Sequence, residues 1–306
     1  MRVRRSVLAV AVAAVAVLVG SVAPASAATL PVRYSFAAAI PPTLANPAGS
    51  PPGANDWACH PSAAHPNPVV LVHGTGGNMQ DSWQALSPLL KNNGYCVFAL
   101  NYGKTNNNIL LGLGDIPASA AELGTFVDRV RTATGAAKVD IIGHSQGGMM
   151  PRYYLKFLGG AAKVGTLVGL APSNHGTTLL GLAALNTLFP AFVGGTLTTL
   201  AGPALTQQTF DSSFIKNLNA GGDTVPGVKY TVIESIYDEV VTPYTSAFLK
   251  GPNVTNITLQ SQCFLDGTEH LGIIYDHIAL RDALNALDPA HPVRPTCSYV
   301  APINGG

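Results

Sequence analysis

Short apolar runs recur along the chain and are separated by stretches with helical spacing. Because these runs are apolar at consecutive positions, they are typical of strands that are buried on both faces of a parallel sheet. Each run is flanked by glycine, proline or clusters of polar residues, which favour turns. The predicted strands cover residues 69–72, 96–100, 139–142, 164–170, 230–234 and 256–260.

Helical segments alternate with the predicted strands. Residues 82–92, about 146–158 and 274–287 are predicted helices. A further helix is predicted to begin after Asp115, which is placed to cap it, with Pro117 in its first turn. Its apolar positions recur every three or four residues and form one face: Ile116, Ala120, Leu123, Val127 and Val130. This alternation predicts an α/β protein with a mostly parallel, doubly wound sheet.

A Gly-x-Ser-x-Gly motif lies between the strand predicted at 139–142 and the helix that follows. It runs from Gly143 to Gly147 and centres on Ser145. In this context the motif is typical of a nucleophile elbow, in which the serine is exposed on a sharp turn. A chance match in a glycine-rich chain would not account for its position between strand and helix. We therefore predict that Ser145 is a nucleophile.

A glycine-rich loop, residues 73–77, directly follows the first strand. Glycine-rich backbone offers N–H groups to an anion, but the loop lacks the lysine of a phosphate-binding P-loop. We interpret it as an oxyanion loop, with the N–H groups of Thr75 and Gln146 as donors. His73 is interpreted as a support of this loop rather than as a catalytic base.

A serine hydroxyl needs a general base, and that base needs an orienting carboxylate. In one large class of enzymes with this motif the chain order is serine, acid, histidine. Asp238 and His270 fit this order, and both lie in loops after predicted strands. Other acids remain possible, chiefly Glu239 and then Asp266 and Asp223. The competing histidines lie in proline-rich segments, beside Ser145, within a predicted helix or before most acids: His60, His65, His144, His175, His277 and His291.

The pattern changes in an apolar insertion near residues 176–222. Residues 176–210 contain no Asp, Glu, Lys or Arg, and several glycines and Pro190 interrupt their leucines. A membrane-spanning helix is disfavoured by these interruptions. Two interpretations stay open: ordinary core helices, or a cap that lines an apolar acyl pocket. Exposed apolar surface of this kind usually marks a binding site.

The ends of the chain and its cysteines indicate export. Residues 1–27 have three arginines, an uncharged apolar run and a small-residue cleavage site, which predicts a signal peptide. Residues 28–67 are predicted to be an extended N-terminal segment with little secondary structure, and 68–306 a catalytic domain. Four cysteines allow three pairings, of which we favour Cys59–Cys96 and Cys263–Cys297 because each pair lies within one half of the chain.

Composition excludes some functions. Charged residues make up 11% of the chain, with a formal net charge of +1, and there is no basic run of the kind that binds nucleic acid. The cysteine spacing is also unlike a metal site.

Four segments of the chain resemble those of secreted bacterial class 2 lipases, which have the α/β-hydrolase fold: VVLVHGTGG, IIGHSQGG with PRYYLKFLGG, YDEVVTP and EHLGIIYDH. The resemblance covers about residues 68–287 and is greatest to the larger actinobacterial relatives of the small bacillus lipases. It implies Ser145 as nucleophile, His270 as base and Asp238 as acid. It also implies Thr75 and Gln146 as oxyanion donors, and ester hydrolysis on lipids without a cofactor. Residues 176–210 are longer than in the small members.

We therefore expect a secreted serine carboxylic ester hydrolase, a triacylglycerol lipase that forms an acyl-enzyme. Short-chain ester or polyester hydrolysis is the alternative. A peptidase would need a pocket for charged peptide ends, and a non-catalytic binder would not need the three catalytic residues. The expected partner is a lipid or ester at a transient lipid–water interface, bound by a monomer that carries no metal.

Overall fold

The computed structural model describes residues 29–105, 110–178, 180–184 and 202–306. Within these residues, six parallel strands form one sheet in the order β2-β1-β3-β4-β5-β6. The strands are β1 Val69–Val72, β2 Val97–Leu100, β3 Val139–His144, β4 Val164–Leu170, β5 Lys229–Glu234 and β6 Val254–Thr258. The predicted parallel α/β sheet is therefore confirmed.

Helices pack on both faces of this sheet, as expected for a doubly wound fold. In chain order they are α1 Ile40–Ala45, α2 Met79–Ser82, α3 Leu86–Asn92, α4 Ile116–Thr134, α5 Gln146–Phe157, α6 Pro203–Gln207, α7 Ser213–Asn219, α8 Leu259–Gln262 and α9 His277–Leu287. Short 3₁₀ turns cover Phe36–Ala39, Gly160–Ala162, Tyr244–Ala247 and Gly272–Tyr275.

The core has two layers because alternate strand residues point to opposite faces of the sheet. Val70 and Val72 of β1 belong to the same buried cluster as residues of α4 and α5. Val69 and Leu71 belong to the other cluster, with residues of α3 and α9. The strands are thus buried on both faces, which explains their continuous apolar runs.

The predicted cap of α4 is present. Asp115 Oδ1 accepts a hydrogen bond of 3.0 Å from Ala118 N, and Pro117 lies in the first turn. Proline is tolerated there because its missing N–H would have no helical acceptor. This helix leads directly into β3 and so helps to place Ser145.

Several predicted boundaries were wrong. The single helix expected at 82–92 is two helices, because Asn78 caps α2 through Gln80 N and Asp81 N, and Trp83 has a non-helical backbone and is fully buried. The last helix begins at 277 rather than 274, because the Asp276 carboxylate accepts from Ile278 N and caps it there. The strand predicted at 256–260 lies at Val254–Thr258.

Two disulfides connect the pairs that we favoured, Cys59–Cys96 and Cys263–Cys297. The first joins the N-terminal segment to the residue before β2. That segment carries a 3₁₀ turn and α1, so it has more secondary structure than we predicted. Phe36 in this turn is buried in the core, which explains why the segment is ordered against the domain.

Two predicted segments lie wholly or partly outside the described residues. The predicted signal peptide, residues 1–27, lies wholly outside them, and the apolar insertion lies outside them at 179 and 185–201. Of the rest of the insertion, residues 180–184 are helical and are followed by α6 and α7 after the gap. In the described ranges, no helix has both the length and the apolar character needed to cross a membrane.

Candidate active site

Ser145 lies on the sharp turn between β3 and α5. Its backbone has φ 53° and ψ −123°, a conformation that non-glycine residues rarely adopt. The turn needs its two glycines, because a Cβ at Gly143 would collide with the Gly147 carbonyl, and one at Gly147 with the Val72 and His73 carbonyls. The strand and helix therefore meet as a nucleophile elbow requires.

The structure brings the three predicted catalytic residues together. His270 Nδ1 lies 2.7 Å from Asp238 Oδ2, and His270 Nε2 lies 3.0 Å from Ser145 Oγ. With Nδ1 donating to the carboxylate, Nε2 is left to accept the serine hydroxyl proton. All three residues are buried, with at most 6% of their surface exposed.

Asp238 is oriented by its own loop after β5. Its Oδ1 accepts hydrogen bonds from Val240 N at 2.8 Å and Val241 N at 2.7 Å, which leaves Oδ2 for His270. Two of the rival acids are bound elsewhere. Asp223 pairs with Arg152 and His175, and Asp266 accepts from Thr268 N.

The loop that carries His270 is held by backbone contacts on both sides of the histidine. The Glu269 carboxylate accepts from Leu271 N, Gly272 N and Ile303 N. His144 Nε2 lies 2.8 Å from the His270 carbonyl oxygen. Burial, and then the proximity of His270, lower the pKa of His144 to about 3, so it is neutral and can donate from Nε2.

The electrostatics of the site favour a proton on His270. Burial disfavours the charged imidazolium, but the charge of Asp238 and its hydrogen bond outweigh burial, so the pKa of His270 is raised above its ordinary value. The nearby carboxylates of Glu239 and Glu269 act in the same direction. The imidazole is thus suited to take up a proton during a reaction.

Sequence reasoning missed Glu234, which lies fully buried at the end of β5. Burial, and then the charge of Asp238, raise the pKa of Glu234 well above its ordinary value. A protonated Glu234 carries a hydroxyl that can donate, and among the described residues its buried Oε2 has no hydrogen-bond partner. The signal in the sequence was an acid that directly follows the apolar residues Val232 and Ile233 at the end of a strand.

The two predicted oxyanion residues also lie together. Thr75 Oγ1 donates to Gln146 Oε1 at 3.0 Å, so the loop after β1 touches the start of α5. Gln146 is the first residue of α5, and its N–H has no acceptor within the helix. Sequence reasoning missed Gln208, whose side-chain amide donates to the side chains of both residues.

His73 is positioned as a loop support, the role that we predicted for it. Its ring stacks on Tyr102, with 4.4 Å between centroids, and its Nδ1 lies 2.8 Å from the Gly74 carbonyl oxygen. Tyr102 N donates to its Nε2 at 3.4 Å. Burial lowers the pKa of His73 to about 4, which keeps the ring neutral.

The family description of class 2 lipases matches residues 66–278. The chain belongs to the class 2 lipase family. The matched range begins just before β1 and includes Ser145, Asp238 and His270.

Individual relatives match a shorter part of this class 2 lipase. Proteins named triacylglycerol lipase from Pseudarthrobacter phenanthrenivorans and Burkholderia plantarii are each 38% identical over 97 residues, or 30% of this chain. The matched stretch spans only 28% and 25% of those two relatives.

Solved structures share the fold. Lipase B of Aspergillus fumigatus matches with a TM-score of 0.62 and 23% identity, over 81% of this chain and 57% of the other. The mature lipase of Bacillus licheniformis matches with a TM-score of 0.52 and 20% identity, over 74% of this chain and 94% of the other. These similarities show an α/β-hydrolase fold.

Proposed function

We propose that this class 2 lipase is a secreted serine carboxylic ester hydrolase, a triacylglycerol lipase, that acts through Ser145, His270 and Asp238. The observation that carries the proposal is the continuous hydrogen-bond chain from Ser145 Oγ through the His270 ring to Asp238 Oδ2. Such a chain activates a serine hydroxyl as a nucleophile. The family and the names of the matched relatives support an ester substrate.

In this mechanism Ser145 Oγ attacks the ester carbonyl carbon while His270 Nε2 takes the hydroxyl proton. The N–H groups of Thr75 and Gln146 donate to the oxyanion of the tetrahedral intermediate, each contributing about 3 kcal/mol. His270 returns its proton to the leaving alcohol. Water, activated by the same imidazole, then hydrolyses the acyl-enzyme and regenerates Ser145.

These residues supply every proton transfer and charge contact of the proposed reaction, which therefore needs no cofactor. Asp238 stabilises the imidazolium that forms when Ser145 attacks, and the hydrogen bonds that its Oδ1 accepts from Val240 N and Val241 N hold the carboxylate in place. Secretion is supported by the two disulfides, which form and persist in oxidising compartments.

The test is Ser145→Ala, with hydrolysis of p-nitrophenyl butyrate and covalent labelling by a serine-directed phosphonate as readouts. We expect turnover to fall by roughly 10⁴-fold or more and labelling to disappear, because the nucleophile is removed. Ser87→Ala is a matched control, since Ser87 is equally buried but donates to the Pro52 carbonyl within another part of the fold. Turnover by Ser145→Ala close to that of Ser87→Ala would refute the proposed function.

A further inference from the structure

Gln208 connects the apolar insertion to both proposed oxyanion residues. It directly follows α6, at the end of the uncharged stretch, and is buried, with 3% of its surface exposed. Its Nε2 lies 2.9 Å from Thr75 Oγ1 and 3.0 Å from Gln146 Oε1. One amide thus contacts a side chain of the loop after β1 and the side chain of the first residue of α5.

The orientation of this amide follows from its partners. Nε2 also lies 3.1 Å from the Ala204 carbonyl oxygen, which can only accept, so the nitrogen must be on that side. The opposite atom, Oε1, accepts from Ser173 Oγ at 2.9 Å. Both ends of the Gln208 amide are therefore engaged, and its two N–H donors are shared among three acceptors, Ala204 O, Thr75 Oγ1 and Gln146 Oε1.

The backbone of Gln208 is fixed as well. Its carbonyl accepts from Thr177 N at 2.8 Å, and Phe210 N donates to the Thr177 carbonyl at 3.0 Å. These bonds join the two ends of the uncharged stretch 176–210. The backbone of Gln208 is therefore held in place beside the site.

We propose that Gln208 is a positioning residue that holds the two oxyanion donors at the correct separation. The inference rests on the proposed function and adds a residue to its machinery. Thr75 and Gln146 are 71 positions apart in the chain, and the pairing of β1 with β3 brings their segments side by side. The side-chain bond between the two residues, braced by Gln208, then holds their N–H groups at a fixed separation.

The need for such a brace follows from the geometry of oxyanion stabilisation. Donors must lie about 2.7–3.1 Å from the position of the oxyanion, and they contribute most when they need no rearrangement during the reaction. Gln146 is also held from its other side, because its Nε2 donates to Tyr102 Oη at 3.2 Å. Removal of Gln208 would release the Thr75 side of this arrangement.

The experiment compares Gln208→Met with Gln207→Met. Methionine keeps the length of the side chain and removes its hydrogen bonds. Gln207 is the matched control, because its Nε2 donates to Asp115 Oδ2 at 2.7 Å and its Oε1 accepts from Ile116 N at 2.8 Å, both at the start of α4. Each variant loses side-chain amide bonds, which are buried at Gln208 and exposed or partly buried at Gln207, but only Gln208→Met loses the bonds to the proposed oxyanion residues.

For Gln208→Met we expect kcat on p-nitrophenyl butyrate to fall by about 10-fold with KM changed less than twofold, because the interaction acts in the transition state. The inhibition constant of an alkyl boronic acid, which forms a tetrahedral adduct with the serine, should rise by a similar factor. Gln207→Met should keep the wild-type kcat and inhibition constant. The melting temperatures of both variants show how much stability each substitution removes, independently of its effect on catalysis.

Ser173→Ala is the second variant and guards against misfolding of Gln208→Met. It keeps Gln208 but removes the bond that orients its amide, so kcat should fall by a smaller factor, about twofold to threefold, with KM unchanged. The inference is overturned if Gln208→Met and Ser173→Ala keep the kcat of Gln207→Met, or if only KM changes. If instead the wild-type protein neither hydrolyses esters nor reacts with a phosphonate, the proposed function itself fails.

Discussion

Because the residues of the site are buried, the charge of one strongly affects the protonation of its neighbours. His270 and Asp238 are almost fully buried, so water screens their interaction little. The hydrogen bond between them becomes a charge-assisted pair whenever the imidazole is protonated. The negative charge of Asp238 favours a protonated His270 in the resting protein as well as in the proposed transition state. The protonation of His270, and with it the activity, should therefore depend on pH.

We predict that kcat/KM declines on the acid side with a midpoint above pH 6.5. His270 must be neutral to accept the serine proton, and its pKa is raised above the ordinary histidine value of about 6.5. Activity therefore increases as pH rises through this raised pKa. The measurement is kcat/KM for a soluble short-chain ester from pH 5 to 9.

Two variants test the cause of this pH dependence. Asp238→Asn should move the acid midpoint to lower pH and reduce the rate by about 10⁴-fold, because the charge that favours the proton is removed. Glu239→Gln removes a more weakly coupled charge and should shift the midpoint less, with little loss of rate. An acid midpoint that is the same in all three proteins would contradict this explanation.

The residues of the proposed site differ in how far the sequence could reveal them. Ser145 has a local motif, and Asp238 and His270 follow from chain order, so the sequence could indicate the three side chains that the structure brings together. Gln208 lies in a stretch without a recognisable pattern, and its partner Thr75 is 133 positions away. Glu234 is buried near the charge of Asp238, which helps to raise the pKa of Glu234, and the sequence does not show which acids become buried together.

At the level of elements, a buried carboxyl group lies at each end of the segment that carries His270. Asp266 and Asp276 flank this segment, both are fully buried, and the Oδ2 atom of each has no other hydrogen-bond partner in the described residues. Two buried carboxyl groups whose charges interact favour a proton on one of them. Burial, and then the charge of Asp266, raise the pKa of Asp276 to about 8.

We predict that this pair makes the protein less stable as pH rises from 5 to 8. The folded state keeps a proton on Asp276 that the unfolded chain releases near pH 4, so stability falls with pH until the folded pKa is passed. Asp276→Asn keeps a neutral donor and should reduce the difference between the free energies of unfolding at pH 5 and pH 8. Urea unfolding at pH 5 and at pH 8 measures these free energies.

Asp288→Asn is the control, since this carboxyl lies at the other end of α9 and is about one third exposed. It should retain the wild-type difference between pH 5 and pH 8. If Asp276→Asn also retains it, the carboxyl pair is not the origin of the pH dependence. Other buried acids contribute in the same direction, notably Asp81, whose pKa burial raises to about 7, so the difference should shrink rather than vanish.

Element type was easier to predict than element boundaries. The runs of apolar residues identified the strands because a parallel sheet buries both faces of each strand. Boundaries depend on individual side-chain caps, such as Asn78 before α2 and Asp276 before α9. The N-terminal segment contains α1 although its prolines favour irregular structure, because Pro41 and Pro42 fall in the first turn of that helix.

At the scale of the whole molecule, the insertion packs beside the loops that bear the site. Leu110, Leu113 and Val240 form a small buried cluster, against which Ala184 and Leu205 of the insertion pack. Val240 also donates its N–H to Asp238. Apolar side chains of the insertion therefore lie near the proposed acid, and Leu180 leaves 81% of its surface exposed.

We predict from this arrangement that activity rises with acyl-chain length. A longer chain buries more apolar surface, at roughly 0.8 kcal/mol for each buried CH₂ group, and the uncharged insertion offers such surface. The measurement is kcat/KM for p-nitrophenyl esters from C2 to C16, with emulsified triolein as a natural-type substrate and Ser145→Ala as the blank. Leu180→Ser, a polar change at an exposed position, should lower the rate on long esters more than on acetate.

The two outcomes separate the proposed lipase from a short-chain esterase. A rate that increases towards long esters and is maintained on triolein requires an apolar acyl site, since the chemistry at the carbonyl is the same for every chain length. Activity confined to C2–C4 would mean that the insertion does not receive the acyl chain, and that its uncharged residues serve as internal packing. The proposed triad would stand in either case, because Ser145 and His270 act on the ester group, Asp238 acts through His270, and none of these roles depends on the length of the acyl chain.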